Sequence, residues 1–255
     1  WSGNLVTNAT WADFWLNEGF TVYFENRIME KVYGKETADM LADLGWDGLN
    51  DTIRELGGLQ APDTRLHLEL VGRNPDDGMN DIAYEKGATF LRTIEAAVGR
   101  DRWDAYLKDY FDRHAFQPQT SAGFLADLRG RLIKGDAALE QKLKLDEWVY
   151  KPGLPDNAVH VVSPLLAQVD QRAAAFVTEG ITPELVKDWN TSQRVRFLNR
   201  LPRKLGAEQL ESLAKAMNLD SQRNSEVRFA WLRLAIANHH QPAVANLVDF
   251  LTSMG

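Results

Sequence analysis

Two glutamates near the start of the chain could together support a metal ion. Glu18 lies between Trp15-Leu16-Asn17 and Gly19-Phe20, in a largely aromatic and apolar stretch. Burying a lone carboxylate is costly unless it is paired or bound to a metal. Glu25 lies two helical turns farther along, on the same helix face. Glu18 could therefore be a metal ligand and Glu25 a carboxylate that braces another ligand. The alternative is that both are solvated or capping charges.

Tyr84 is the second candidate for chemistry. It stands in Ile82-Ala83-Tyr84-Glu85-Lys86-Gly87, after an acidic loop that contains Asp76-Asp77-Gly78, and it is predicted to open a helix. A phenol at a helix start near a metal can donate a hydrogen bond to a developing oxyanion. An ordinary amphipathic tyrosine is the alternative.

A metal site at Glu18 would need further ligands, and the spacing of the histidines does not provide them. Two histidines that share a metal from one helix are typically four residues apart, and no pair here has that spacing. We interpret them as surface or capping residues: His67, His114, His160, His239 and His240.

Helical periodicity dominates the elements that would position these residues. One helix begins around Phe14 and ends near Gly34, and a second ends at Gly57-Gly58. The stretch 59–80, with its prolines and glycines, is predicted to be a loop. Helices then follow from Tyr84 to 99, over 103–111, and after a cap at Thr120.

A break at Tyr150-Lys151-Pro152-Gly153-Leu154-Pro155 cannot continue a helix, and it predicts a domain boundary. We expect a first domain over 1–155, a linker over 156–164 and a second domain over 165–255. Six short helical stretches with tight links in the second domain indicate stacked helix pairs, as in an α-solenoid. The predicted fold class is therefore mostly all-α.

Composition excludes several classes of protein. The 255 residues are 44% apolar and 25% charged, which is enough to bury a core and excludes wholesale disorder. The chain has no cysteine, so it forms no disulfide and no thiolate metal site. The first 155 residues carry 18 Lys+Arg against 26 Asp+Glu, which disfavours nucleic acid as a partner. The apolar runs are too short for a membrane span.

Several motifs resemble those of the gluzincin zinc aminopeptidases. They are Trp1-Ser2-Gly3-Asn4-Leu5-Val6-Thr7-Asn8, the run that ends at Glu18-Gly19, Tyr84-Glu85-Lys86-Gly87 and the motif over 150–155. The most similar branch is that of leukotriene hydrolase and aminopeptidase B, in a bacterial version. The resemblance implies the helical lobe of a thermolysin-like catalytic domain, followed by an armadillo- or HEAT-like C-terminal domain.

The resemblance also implies roles, carried over motif by motif. Glu18 matches the third zinc ligand, and Glu25 matches the carboxylate that braces a ligand histidine. Tyr84 matches the phenol that stabilises the tetrahedral intermediate, and Asp76 matches an acidic residue of the substrate pocket. The implied cofactor is zinc, and the implied substrates are peptides with a free N-terminus.

This chain departs from the family pattern in two respects. The family's H-E-x-x-H helix is missing, and its second histidine would lie two places before Trp1. We therefore expect a fragment that lacks bound zinc and activity, and that self-associates through apolar surface around Trp1–Phe24. Met79 replaces a second pocket tyrosine of the leukotriene enzyme, which favours plain aminopeptidase activity. The alternative function is a non-catalytic helical module that binds a partner protein.

Overall fold

The computed structural model describes residues 2–253, so Trp1, Met254 and Gly255 lie outside the described residues. Helices dominate this range, which confirms the mostly all-α fold class. The helices are α1 (Trp15–Tyr33), α2 (Lys35–Glu55), α3 (Gly87–Val98), α4 (Arg100–Arg113), α5 (Ser121–Asp127), α6 (Ala137–Leu143), α7 (Leu145–Tyr150), α8 (Pro164–Glu179), α9 (Pro183–Val186), α10 (Thr191–Arg200), α11 (Ala207–Met217), α12 (Ser225–Ala237) and α13 (Val244–Ser253).

One short sheet lies ahead of these helices, and the sequence analysis did not predict it. Strand β1 (Val6–Asn8) pairs in parallel with β2 (Gln117–Gln119). The pairing continues beyond the strands, because the amide of Ala9 donates to the carbonyl of Gln119 at 2.7 Å. The segment before α1 is thereby fixed to the segment before α5.

Helix α1 is the centre of the first core. Its buried face carries Trp15 and Phe20, whose rings pack against Phe124 with centroids 5.8 and 5.6 Å apart. Trp15 Nε1 also donates to Ser121 Oγ at 2.9 Å. The helix ends as predicted at Gly34, whose φ of +90° is one that side-chain-bearing residues rarely adopt.

The segment between α2 and α3 is largely a loop with two 3-10 turns, Pro62–Thr64 and Pro75–Gly78. It leads into a five-residue π-helical turn, Ile82–Lys86, that continues directly into α3. Tyr84 therefore lies in the middle of this turn and does not open the helix. π-Helical turns are rare in proteins overall, and those that occur are often found at functional sites.

Chain contacts divide the protein into two compact units, one ending at Val162 and the other beginning at Ser163. The segment after α7 packs on the first unit: Val159 N donates to Thr93 Oγ1 at 3.2 Å, and the His160 ring stacks on Trp46 at 4.5 Å. The finer division into 1–155, 156–164 and 165–255 stays a prediction.

The second unit is built from α8–α13 around its own core. Its largest buried side chains include Phe176, Phe197 and Trp231. Polar side chains cap the helices, as where Asn224 Oδ1 accepts from the amides of Glu226 and Val227 at 3.1 Å. Across residues 2–253 we find no helix with the length and apolar character that crossing a bilayer requires.

Candidate active site

Glu18 lies in the first turn of α1 and is half-buried. Burial raises the pKa of its carboxyl group above the ordinary value. Within residues 2–253 its carboxylate has no hydrogen-bond or ion-pair partner. A partly desolvated carboxylate without a cation beside it is chemically suited to bind one.

Tyr84 lies beside Glu18. Burial raises the pKa of the Tyr84 phenol, and the negative charges of Glu18 and Asp81 raise it further. The ring packs edge-on against Phe14 with centroids 6.0 Å apart. With this pKa the phenol is protonated at neutral pH. Because its hydroxyl has no protein partner within the described range, its O–H is available as a hydrogen-bond donor.

A close backbone contact brings these two side chains together. A Cβ on Gly19 would lie 2.8 Å from Gly87 Cα, and a Cβ on Gly87 would lie 2.8 Å from Gly19 Cα. Glycine at both positions lets α1 approach the start of α3. Since Glu18 precedes one glycine and the Tyr84 turn precedes the other, the contact fixes their relative position.

Glu25 lies on α1, as predicted, and its side chain is exposed. Its charge acts on Glu85, the neighbour of Tyr84. Burial raises the pKa of Glu85 to about 7; Arg92 opposes this shift, and Asp81 and Glu25 add to it. A carboxyl that is about half-protonated near neutral pH thus lies in the same π-helical turn as Tyr84, with its oxygens close to Gly45 of α2, and the sequence analysis missed it.

Asn17 fixes the chain ahead of the site. Its Oδ1 accepts from the backbone amide of Asn8 at 2.9 Å, and its side chain packs on Gly3. The segment before Trp11 is therefore held against the turn that carries Glu18.

Asp76 and Met79 lie in an exposed turn. The Asp76 amide donates to Asn74 Oδ1 at 3.1 Å, and the Met79 amide donates to the Asp76 carbonyl at 3.0 Å. In the part of the chain that the structure describes, neither forms a hydrogen bond or ion pair with Glu18 or Tyr84. The structure thus brings together Glu18 and Tyr84, and places the other two on the loop that leads into the Tyr84 turn.

The buried carboxylate of Asp13 is fully engaged in hydrogen bonds that hold the fold together, which indicates a structural role. It accepts from the amide and hydroxyl of Ser121 at 2.8 and 2.7 Å and from Thr10 Oγ1 at 2.8 Å, and it contacts His67 Nδ1 at 3.1 Å. His114 and His160 likewise contact Asp127 and Asp43. No group of three or more His, Asp or Glu residues among residues 2–253 could hold a metal on its own.

A surface cavity of about 750 Å³ lies elsewhere, between α1 and α4. It is lined by Phe24, Ile28 and Phe111 among others, and neither Glu18 nor Tyr84 lines it. The candidate site is therefore defined by its side-chain chemistry and not by this cavity.

The arrangement places a half-buried carboxylate, which could bind a metal ion, beside a phenol, which could donate a hydrogen bond to an oxyanion. The Peptidase family M1 domain matches residues 1–146, and the C-terminal domain of leukotriene A4 hydrolase matches residues 189–255. The chain belongs to peptidase family M1.

Curated relatives and solved structures agree with this assignment. The leukotriene A-4 hydrolase homolog of Botryotinia fuckeliana is 32% identical over 262 residues, covering 100% of this chain. Leucine aminopeptidase 2 of Sclerotinia sclerotiorum is also 32% identical over the whole chain. The yeast LTA4 hydrolase structure in complex with bestatin covers 98% of this chain with a TM-score of 0.86 at 28% identity.

This chain matches only part of each of these proteins. It spans 40% and 43% of the two curated relatives and 44% of the yeast structure. The relatives that it matches are thus more than twice its length.

Proposed function

We propose that the whole protein is a zinc-dependent aminopeptidase that removes N-terminal residues from peptides. In this proposal the present 255 residues supply the third zinc ligand and the oxyanion donor. The single observation that carries it is the proximity of Glu18, a half-buried carboxylate without an ion-pair partner within residues 2–253, to Tyr84, a phenol whose hydroxyl has no protein partner in the same range.

The donor set fits one arm of a zinc site. Glu18 would hold the metal, and two histidines from an H-E-x-x-H segment outside this sequence would complete the coordination. When bound, zinc would polarise the peptide carbonyl and lower the pKa of a water molecule. Because one carboxylate cannot hold zinc tightly, we expect the 255-residue chain alone to be without zinc and inactive. The proposed role of Glu25 is to brace one of those histidines.

Tyr84 would act on the substrate. A tyrosine phenol is protonated at neutral pH, and burial raises the pKa of Tyr84 further, so its O–H can donate to the carbonyl oxygen as negative charge develops there. The contact between Gly19 and Gly87 holds this donor at a fixed position relative to Glu18. Such a donor, fixed before the reaction, needs little reorganisation to stabilise the tetrahedral intermediate.

The proposed substrate pocket includes Asp76 and Met79. Met79 is 48% exposed on the turn that leads towards Tyr84, and Asp76 places a carboxylate on the same turn. We propose that these residues favour a peptide amino end over an epoxide. The bacterial origin and the self-association surface at Trp1–Phe24 stay predictions; in that surface Trp11 is 52% exposed, and Trp15 and Phe20 are buried.

The test is hydrolysis of an aminoacyl-anilide by the whole protein and its Tyr84→Phe variant. We expect an active wild type, and a variant with kcat lowered by about 10²–10³-fold, since one oxyanion donor is lost. KM and zinc content should be nearly unchanged. Tyr33→Phe is the matched control, because Tyr33 lies on α1 and is 65% exposed.

Two results would reject the proposal. An inactive whole protein without stoichiometric zinc would favour a non-catalytic helical binding module. A Tyr84→Phe variant with wild-type kcat would remove Tyr84 from the reaction.

A further inference from the structure

Lys86 is a lysine whose side chain is wholly inside the first unit. Its exposure is 0%, and it ends the π-helical turn that carries Tyr84. Burying an amine costs several kcal/mol unless its hydrogen bonds are satisfied. Lys86 Nζ donates to the carbonyl of Thr64 at 2.7 Å and to the carbonyl of Lys151 at 3.3 Å. The amine thus joins three segments that are distant in sequence.

Thr64 extends this connection. It is fully buried, and its Oγ1 donates to the carbonyl of Ala61 at 2.6 Å and accepts from the amide of Gly153 at 2.8 Å. Gly153 has a φ of +76°, and a Cβ there would lie 2.7 Å from the carbonyl oxygen of Leu59. The segments around Thr64 and Gly153 therefore meet directly against the Lys86 amine. We call Lys86, Thr64, Lys151 and Gly153 the Lys86 clasp.

The clasp closes a loop that matters for the site. The bond from Lys86 Nζ to the Thr64 carbonyl spans 22 residues of sequence. The enclosed segment, 65–85, contains Asp76 and Met79 on its exposed turn and Tyr84 near its end. Much of this segment lacks helical hydrogen bonds, so its two ends must be held by tertiary contacts.

We propose that Lys86 is a positioning residue that holds the substrate-pocket loop against the turn of Tyr84. The catalytic part of this inference rests on the proposed aminopeptidase function. The structural part rests only on the clasp itself. An apolar residue of similar length would fill the space but leave the carbonyls of Thr64 and Lys151 without a donor.

The experiment compares Lys86→Met, Thr64→Val and Thr64→Ser in the whole protein by amide hydrogen exchange. In Lys86→Met and Thr64→Val we expect exchange over 65–81 and 150–154 to be faster by at least about 10-fold. Exchange over α4 should stay at the wild-type rate. Thr64→Ser keeps the hydroxyl and should behave like the wild type, and Lys108→Met controls for loss of an exposed lysine.

Kinetics then separate positioning from mere stabilisation. We expect kcat for an aminoacyl-anilide to fall by about 10-fold or more in Lys86→Met and Thr64→Val, with unchanged zinc content, since displaced catalytic groups lose rate. Unchanged exchange over 65–81 would overturn the clasp, and faster exchange with wild-type kcat would overturn its positioning role. If Lys86→Met does not fold, the comparison of Thr64→Val with Thr64→Ser tests the clasp instead. An inactive wild type would reject the proposed function, and the exchange data would still decide the clasp.

Discussion

Gly19 and Gly87 touch through their backbones, and this contact sets Glu18 beside Tyr84. A Cβ atom on either glycine would lie only 2.8 Å from the Cα atom of the other, which is closer than side chains tolerate. The two halves of the candidate site lie on different elements, α1 and the turn before α3. Their relative position therefore depends on a contact that no side chain can replace.

Gly87→Ala should separate these elements. The added methyl group meets backbone and not a flexible side chain, so we expect the protein to lose about 1–3 kcal/mol of stability. We also expect kcat/KM for an aminoacyl-anilide to fall by about 10-fold, because Tyr84 moves relative to Glu18. Gly130→Ala is the control, since a Cβ there meets nothing within 4 Å. Equal effects of the two substitutions would show that the contact has no special role.

Glu85→Gln should change how stability depends on pH. The pKa of Glu85 is raised to about 7 in the folded state, against 4.5 for an ordinary glutamate. The unfolded chain releases this proton first, so the wild type loses stability as pH rises from about 4.5 to 7. The glutamine variant does not ionise at this position. The unfolding free energy of the variant relative to that of the wild type should therefore increase by up to about 3 kcal/mol as pH rises over that window.

Unfolding midpoints at pH 5 and pH 8 measure this effect. Glu36→Gln on α2 is the control, because Glu36 is exposed. A constant difference between Glu85→Gln and the wild type at the two pH values would contradict the raised pKa of Glu85.

Asp13→Ala should destabilise the first unit. The substitution leaves Ser121 without the acceptor of its amide and hydroxyl, and it removes the partner of Thr10 and His67. We expect a loss of about 2–4 kcal/mol in thermal or urea unfolding. Asp109→Ala, at a half-exposed ion pair with Arg113, should cost less than about 1 kcal/mol. Similar losses for both variants would mean that the Asp13 network contributes little.

The pKa of Asp13 predicts that its contribution to stability depends on pH in the opposite direction to that of Glu85. Burial alone would raise it, but hydrogen bonds from Ser121, Thr10 and His67 outweigh burial and lower it. The wild-type protein therefore keeps this stabilisation above the ordinary aspartate pKa and loses it as pH falls through the lowered value. The difference in stability between the wild type and Asp13→Ala should accordingly shrink in strong acid.

Local signals in the sequence were sufficient for most of the helices. Gly34 ends α1 because its backbone conformation suits glycine, and Thr120 caps α5 by accepting from the Gly123 amide at 3.0 Å. These features depend on neighbouring residues alone, so periodicity and capping rules could predict them. The pairing of Glu18 with Tyr84 became predictable only through the family motifs.

Long-range contacts could not be predicted in this way. Strands β1 and β2 are three residues each and more than a hundred residues apart, and β2 contains no apolar alternation. Glu85 and Lys86 are typical of a solvated helix face by sequence, yet Lys86 is buried and Glu85 is half-buried with its carboxylate against Gly45. The burial of a charge depends on which segments pack around it, and Thr64, Lys151 and Gly45 are remote in sequence.

Zinc stoichiometry of the whole protein, with Glu18 intact and with Glu18→Gln, tests the central claim most directly. Our account predicts about one zinc per polypeptide for the wild type, and a loss of most of that zinc together with aminopeptidase activity in the variant. Glu36→Gln should retain both. Full zinc occupancy and full activity in Glu18→Gln would contradict the assignment of Glu18 as the ligand that completes the site.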